Sequence, residues 1–130
     1  MTTPLEIAKY YVAVFKDGNC DDAFHGLIDQ HSDIVPELIA VYESADDRYV
    51  KAFIVQVVSE FRLSSSVDFL LHALRREEDS IWQSALEGLV TQASTESVDA
   101  MDHVLQSVTN ERKREWIQEA VVDTKAKLRE

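Results

Sequence analysis

Apolar residues recur along the chain with a period of 31 residues. When the 130-residue sequence is written in rows of 31, six columns are apolar in all four rows. Because 45% of the residues are apolar, chance would give only about 1.3 such columns. The six columns are Ile7, Leu38, Phe69 and Ala100; Ala8, Ile39, Leu70 and Met101; Tyr11, Tyr42, Ala73 and Val104; Ala23, Ile54, Ala85 and Trp116; Phe24, Val55, Leu86 and Ile117; and Leu27, Val58, Leu89 and Ala120. This pattern predicts an internal repeat.

The columns fall into two groups with the spacing i, i+1, i+4, which is typical of the buried stripe of an amphipathic helix. Each row is therefore predicted to hold two helices, A and then B. Thr3 and Pro4 mark the start of the first helix, and Gly18 marks its end. The predicted fold is all-α, a right-handed α-α superhelix (α-solenoid) of four helical hairpins, about eight helices, in a single domain over residues 1–130. The predicted repeats span residues 1–31, 32–62, 63–93 and 94–124, followed by a C-terminal helix extension.

Composition narrows the choice of fold and ligand. Only three Gly and two Pro leave little turn chemistry for an all-β fold. The 13 Lys and Arg face 24 Asp and Glu, a formal charge of −11, which disfavours nucleic acid because its phosphates are bound by basic side chains. Residues 1–111 carry 7 basic and 20 acidic side chains, whereas residues 112–130 carry 6 and 4. The charge therefore favours a protein partner, and among proteins a basic one.

Two features of the sequence bear on location. No stretch approaches 18 consecutive apolar residues, and the first six residues lack a basic leader followed by an apolar segment. The sequence therefore predicts a cytoplasmic protein with no membrane contact.

The second helix of the third repeat resembles a known pattern. Its residues Asp79, Ile81, Trp82, Ala85, Gly88 and Leu89 are similar to the B-helix signature of short bacterial HEAT-like repeats of the phycobilisome-lyase type. Asp46, Asp47, Val50, Lys51 and Ile54 follow it more loosely. Trp82 and Lys51 stand where the family usually has arginine. The resemblance implies a scaffold that binds other proteins along its concave B-helix side, although a minority of such relatives are lyases or other enzymes.

Signatures of catalysis are missing from the sequence. It has no glycine-rich phosphate loop, no H-E-x-x-H motif, no paired cysteines and no G-x-S-x-G motif. Cys20 is the single cysteine and cannot form an internal disulfide, and Asp21 and Asp22 beside it disfavour a thiolate. The sequence therefore predicts no enzyme and no cofactor.

Acidic and histidine side chains recur with the repeat. Glu6, Glu37, Asp68 and Asp99 form a fully acidic column, which we interpret as stabilising the starts of the A helices through the helix dipole. Asp68 with His72 and Asp99 with His103 repeat an i, i+4 pair, which could hold a transition metal if neighbouring helices brought the pairs together. Local helix pairing is the favoured interpretation, and no metal is predicted.

The candidate binding surface lies where an aromatic residue breaks a polar column. Phe53 shares its column with Asp22, Ser84 and Glu115, and Tyr49 lies one turn earlier on the same side. The pair is either an exposed interface anchor or, in the case of Phe53, packed against the adjacent repeat. The predicted partner-binding residues are Tyr49, Phe53, Gln56, Glu60, Gln83, Glu87, Asp22, His25 and Asp29.

Three functions remain open from the sequence. The first is a non-enzymatic protein-interaction module, with an immunity or inhibitor protein that masks a basic nuclease-type toxin as its sharpest form. The second is a HEAT-like lyase. The third is a subunit of a larger scaffold or a homodimer formed through the apolar first helix, which contains Tyr10, Tyr11, Val12, Val14 and Phe15.

Overall fold

The computed structural model describes residues 2–129, and this part of the chain forms eight α-helices and no strand. A short 3-10 turn, Ser64–Ser66, precedes the fifth α-helix. The helices are α1 (Pro4–Lys16), α2 (Cys20–Ile28), α3 (Ile34–Ser44), α4 (Arg48–Glu60), α5 (Val67–Leu74), α6 (Asp79–Gln92), α7 (Thr95–Leu105) and α8 (Glu111–Leu128). The all-helical prediction and the number of helices are confirmed.

The ends of α1 follow the signals in the sequence. The Thr3 hydroxyl accepts a hydrogen bond from the backbone N–H of Glu6 at 3.2 Å, and Pro4 occupies the first helical position, where no N–H is needed. The chain leaves the helix through Gly18 at φ +95°, a conformation that glycine adopts without steric strain. Three residues of the acidic column, Glu6, Glu37 and Asp68, lie in first turns, whereas α7 begins at Thr95 and leaves Asp99 beyond its first turn.

The helices pack as successive pairs joined by short loops. Each odd-numbered helix contacts the even-numbered helix that follows it, and α2, α4, α6 and α8 contact one another in that order. The α4 and α6 pair has the most extensive contact, and Gly88 of α6 lies directly against Ser59 of α4. A Cβ atom at position 88 would overlap the Ser59 hydroxyl, so glycine is what allows the two helices to approach so closely.

The apolar columns contribute to the core, with one exception, and apolar residues outside the columns, such as Ile34, Val57 and Trp82, complete it. Every member of the six columns is buried or half-buried except Trp116, which is 42% exposed. The expectation that Trp116 faces the core is therefore wrong for part of its side chain. Because α8 packs mainly against α6 and α7, the indole contacts Trp82 edge to face, and the Arg112 guanidinium lies 5.2 Å from its ring centroid, which leaves part of the ring exposed.

Candidate functional site

The even-numbered helices α2, α4, α6 and α8 form a continuous face, which we call the B-helix face. Two open grooves cross it, one on each side of the central α4 and α6 pair. The first, the α2/α4 groove, has a volume of about 530 Å³, and the second, the α6/α8 groove, about 380 Å³. Both are within the size range of ligand and peptide sites.

Four of the predicted binding residues meet in the α2/α4 groove. Tyr49, Phe53, Gln56 and His25 all line it, together with Phe15, Cys20, Asp21, Phe24, Ala52 and Ser84. The Tyr49 ring is exposed at the rim, where the Arg48 guanidinium lies 5.1 Å from its centroid. The groove therefore has an aromatic floor and a polar rim.

Phe53 is part of that floor rather than an exposed anchor. Its side chain is only 6% exposed, and its ring stacks on Phe15 of α1 with the centroids 4.2 Å apart and the planes at 14°. Of the two alternatives for Phe53, the structure shows packing against the neighbouring helical pair. The exposed-pair expectation is wrong for Phe53 because α1 ends beside α4 and supplies an aromatic partner that the repeat alignment does not reveal.

The other predicted residues are distributed over the surface. Glu87 lines the α6/α8 groove, and Asp22 lines a small depression at the start of α2. Glu60 and Asp29 are exposed and Gln83 is half-buried, and none of these three lines either groove. The predicted set therefore does not form one cluster.

The α6/α8 groove combines an apolar floor with acidic walls. Its lining comprises Leu86, Glu87, Val90, Thr91, Trp116, Glu119, Ala120 and Asp123. Three of these side chains are carboxylates and none is basic. The prediction from the repeat did not include this groove, because it assigned Trp116 to the core. The acidic residues at positions 115, 119 and 123 could have indicated it in the sequence.

A third cavity lies beside the loops that join an A helix to the B helix that follows it. It has a volume of about 510 Å³ and sits between the loop that joins α5 to α6 and the loop that joins α7 to α8. We call it the loop cavity; its lining is Arg75, Glu77, Trp82, Val104, Ser107, Val108, Thr109, Asn110 and Lys113.

Lys113 is one of two deeply buried lysines that occupy the same column of the repeat. Lys51 and Lys113 are each only 7% exposed. The Lys51 ammonium donates to the carbonyl of Tyr42 at 2.7 Å, and the Lys113 ammonium donates to the carbonyl of Arg76 at 3.0 Å. Burial lowers the pKa of both amines, and the nearby carboxylates of Glu78 and Glu77, respectively, oppose part of that shift.

An ion pair fixes the loop that follows α5. The Arg76 guanidinium donates two hydrogen bonds to the Glu78 carboxylate, one of them from Nε at 3.1 Å. These bonds lower the pKa of Glu78 to about 2. The same Arg76 supplies the carbonyl that Lys113 contacts, so the loop is tied both to itself and to α8.

The candidate metal ligands do not come together. Within residues 2–129, no group of three or more His, Cys, Asp and Glu side chains is arranged to hold a metal ion, and this includes Asp68, His72, Asp99 and His103.

The apolar stripe of the first helix is the candidate surface for a homodimer. Val12 is buried and Tyr11, Val14 and Phe15 are half-buried, which leaves Tyr10 exposed. Most of this stripe is thus used for packing within the chain.

Comparisons of the chain with models of known protein families, with curated proteins and with solved structures gave no match. No helix within residues 2–129 is both long enough and apolar enough to cross a lipid bilayer.

Proposed function

We propose that this chain is a HEAT-like α-solenoid of four hairpins that acts as a non-enzymatic interaction module and binds a protein partner through its B-helix face. Three observations support the proposal. Two helices begin within each 31-residue row, the B helices contact one another in chain order, and the B-helix face carries two open grooves. Successive contact between neighbouring hairpins is the arrangement typical of solenoids, whose open faces bind partners.

The composition of the α6/α8 groove is the observation that carries this proposal. Glu87, Glu119 and Asp123 provide three negative charges around a floor formed by Leu86, Val90, Ala120 and the exposed part of Trp116. A partner segment that carries both basic and apolar side chains would be complementary to this surface. Charge complementarity accelerates association, and apolar contact supplies most of the affinity.

Trp116 is the proposed anchor of the complex. Its indole contacts Trp82 edge to face, with the ring centroids 5.5 Å apart, and this contact holds the ring in place. A pre-positioned, half-exposed tryptophan loses little conformational freedom on binding, and tryptophan is enriched among the residues that dominate interface affinity.

The test is affinity capture with paired variants. A tagged form of the protein, the triple variant Trp116→Ala/Glu119→Gln/Asp123→Asn and the control Asp99→Asn/Asp102→Asn are incubated in parallel with lysate of the source cells. Asp99 and Asp102 are exposed on α7 and line neither groove, so the control removes the same number of negative charges, two, at a different place.

We expect a basic partner that the wild type and control retain, that salt releases, and that the triple variant fails to retain. Retention of the same partners by all three proteins would contradict binding at the α6/α8 groove. Loss of the partner from both variants would show that total charge, and not this groove, determines binding.

An inhibitor of a basic toxin is the second candidate function. The formal charge of −11 supports it, because a strongly acidic chain can mask the basic active site of a nuclease through electrostatic attraction. In that case the captured partner is itself a nuclease, and addition of the wild-type protein abolishes its activity while the triple variant does not. A captured partner without such activity would remove this candidate.

A further inference from the structure

The loop cavity is the one described cavity whose lining has an excess of basic over acidic side chains. Arg75 and Lys113 contribute two positive charges and Glu77 one negative charge. The α6/α8 groove, by contrast, is lined by three carboxylates and no basic side chain. In a chain with a formal charge of −11, a local excess of positive charge at a cavity indicates recognition of an anion.

The position of Lys113 supplies a second, independent observation. An ammonium group has three N–H donors, and burial without partners is unfavourable for each of them. Within residues 2–129, the Lys113 ammonium makes one hydrogen bond, to the Arg76 carbonyl. The Trp82 ring lies 5.6 Å from Nζ and gives only a weak additional contact. A buried cation in a cavity wall therefore keeps donors available for a ligand.

Lys51 shows that this arrangement is not a general consequence of the repeat. It occupies the same column, is equally buried and also donates to a backbone carbonyl. Its ammonium, however, lies 4.1 Å from the centroid of the Tyr42 ring, and it lines none of the described cavities. Lys51 thus faces an aromatic ring and lines no described cavity, whereas Lys113 lines the loop cavity.

The remaining lining defines the kind of anion. Trp82, Val104 and Val108 offer apolar surface, and Ser107, Thr109 and Asn110 offer hydroxyl and amide groups. The Glu77 carboxylate disfavours a doubly charged ligand, because it leaves a net charge of only +1 in the lining. A single carboxylate on a flat apolar body matches these groups.

We propose that the loop cavity binds a small monoanionic carboxylate with an aromatic or similarly apolar body, with Lys113 and Arg75 contacting the carboxylate and Trp82 and Val108 contacting the body. This site is separate from the B-helix face and does not depend on the function proposed above.

Benzoate is a suitable probe, and benzyl alcohol and phenyl phosphate are its neutral and doubly charged counterparts. Each is titrated to millimolar concentration into the ¹⁵N-labelled protein, and the backbone amide shifts are followed. We expect saturable benzoate shifts at residues 75–77 and 104–113, weaker binding of phenyl phosphate and no saturation with benzyl alcohol. Absence of saturable benzoate shifts at these residues, or equal binding of benzyl alcohol, would overturn the proposal.

Two variants and one control localise the binding. Lys113→Met and Arg75→Gln should each weaken benzoate binding, by about ten- to hundredfold for Lys113, the range expected for loss of a hydrogen bond to a charged group. Lys51→Met is the control, since it removes an equally buried lysine from a place without a cavity. Arg75 is exposed, so its variant keeps the test valid even if Lys113→Met folds poorly. Unchanged affinity in Arg75→Gln, or an equal loss in Lys51→Met, would contradict the assignment.

Discussion

The α6/α8 groove and the loop cavity lie on either side of a single pair of tryptophans, and they differ in charge. Trp116 lines the groove, Trp82 lines the cavity, and the two rings contact each other edge to face. The groove is walled by three carboxylates, whereas the cavity contains the buried Lys113 ammonium. The formal charge of −11 is therefore not distributed evenly, because the side chains that line these two regions differ in the sign of their net charge.

The two tryptophans should contribute very differently to stability. Trp82 is almost fully buried, and its indole N–H donates to the Asp79 carboxylate at 3.0 Å. We expect Trp82→Ala to lower the free energy of unfolding by about 3–5 kcal/mol, because it creates a large cavity in the core. Trp116→Ala should lower it by less than half as much, since much of the ring is already in water. Urea denaturation measures both, and equal losses would contradict this division of roles.

Replacement of either buried lysine should lower the free energy of unfolding by less than Trp82→Ala does, and by similar amounts for the two lysines. Lys51→Met and Lys113→Met each leave a backbone carbonyl without its hydrogen-bond donor, which is expected to cost about 1–3 kcal/mol. Chemical denaturation of both variants at neutral pH provides the comparison. A markedly larger loss of stability for Lys113→Met than for Lys51→Met would indicate that Lys113 mainly stabilises the fold. That result would count against its proposed role in binding a ligand.

The pH dependence of the lysine variants follows from the lowered pKa values. Between the folded pKa of each amine and its unfolded pKa of about 10.4, the unfolded chain binds more protons, so the lysine makes stability rise with pH. Each methionine variant should lack its share of this rise above neutral pH. If the stability of the wild type and of both variants changed with pH at the same slope, burial would not lower the pKa of either amine.

Glu78 should govern part of the acid response next to the cavity. Its pKa is about 2 in the folded protein, below the ordinary value of 4.5, because Arg76 donates hydrogen bonds to it. The resulting stabilisation is present above pH 4.5 and is lost as the pH falls through about 2. Glu78→Gln should reduce the loss of stability on acidification, measured by thermal unfolding across this range. An unchanged acid profile would contradict the ion pair.

The smallest effect is expected at Arg112, which lies between the two regions. Its guanidinium is 3.2 Å from the Asp79 carboxylate and 5.2 Å from the Trp116 ring centroid. Both partners are substantially exposed, so Arg112→Gln should change the free energy of unfolding by less than about 1 kcal/mol. It should also free one side of the Trp116 ring, which raises the affinity of a basic partner segment. A weaker complex would show that Arg112 itself contacts the partner.

The sequence predicted the helices better than the surfaces. Column spacing identified eight helices and 18 of the 30 buried apolar residues, because burial follows helical periodicity within each element. It could not predict that Phe53 stacks on Phe15 or that Trp116 is partly exposed, since both depend on which helices become neighbours. The loop cavity could not be predicted from the repeat columns either. Its walls come from two loops about 31 residues apart in the sequence. Lys113 is buried by contacts between different helices and loops, which the pattern within one helix does not reveal.

Titration of one ¹⁵N-labelled sample with two probes of opposite charge tests the account most directly. Benzoate is added to one aliquot and a short peptide containing arginine and leucine to another. We expect two separate sets of shifted amides, at residues 75–77 and 104–113 for benzoate and at residues 86–91 and 119–123 for the peptide. If both probes shift the same residues, or if the peptide binds at the loop cavity, the assignment of two oppositely charged recognition surfaces is wrong.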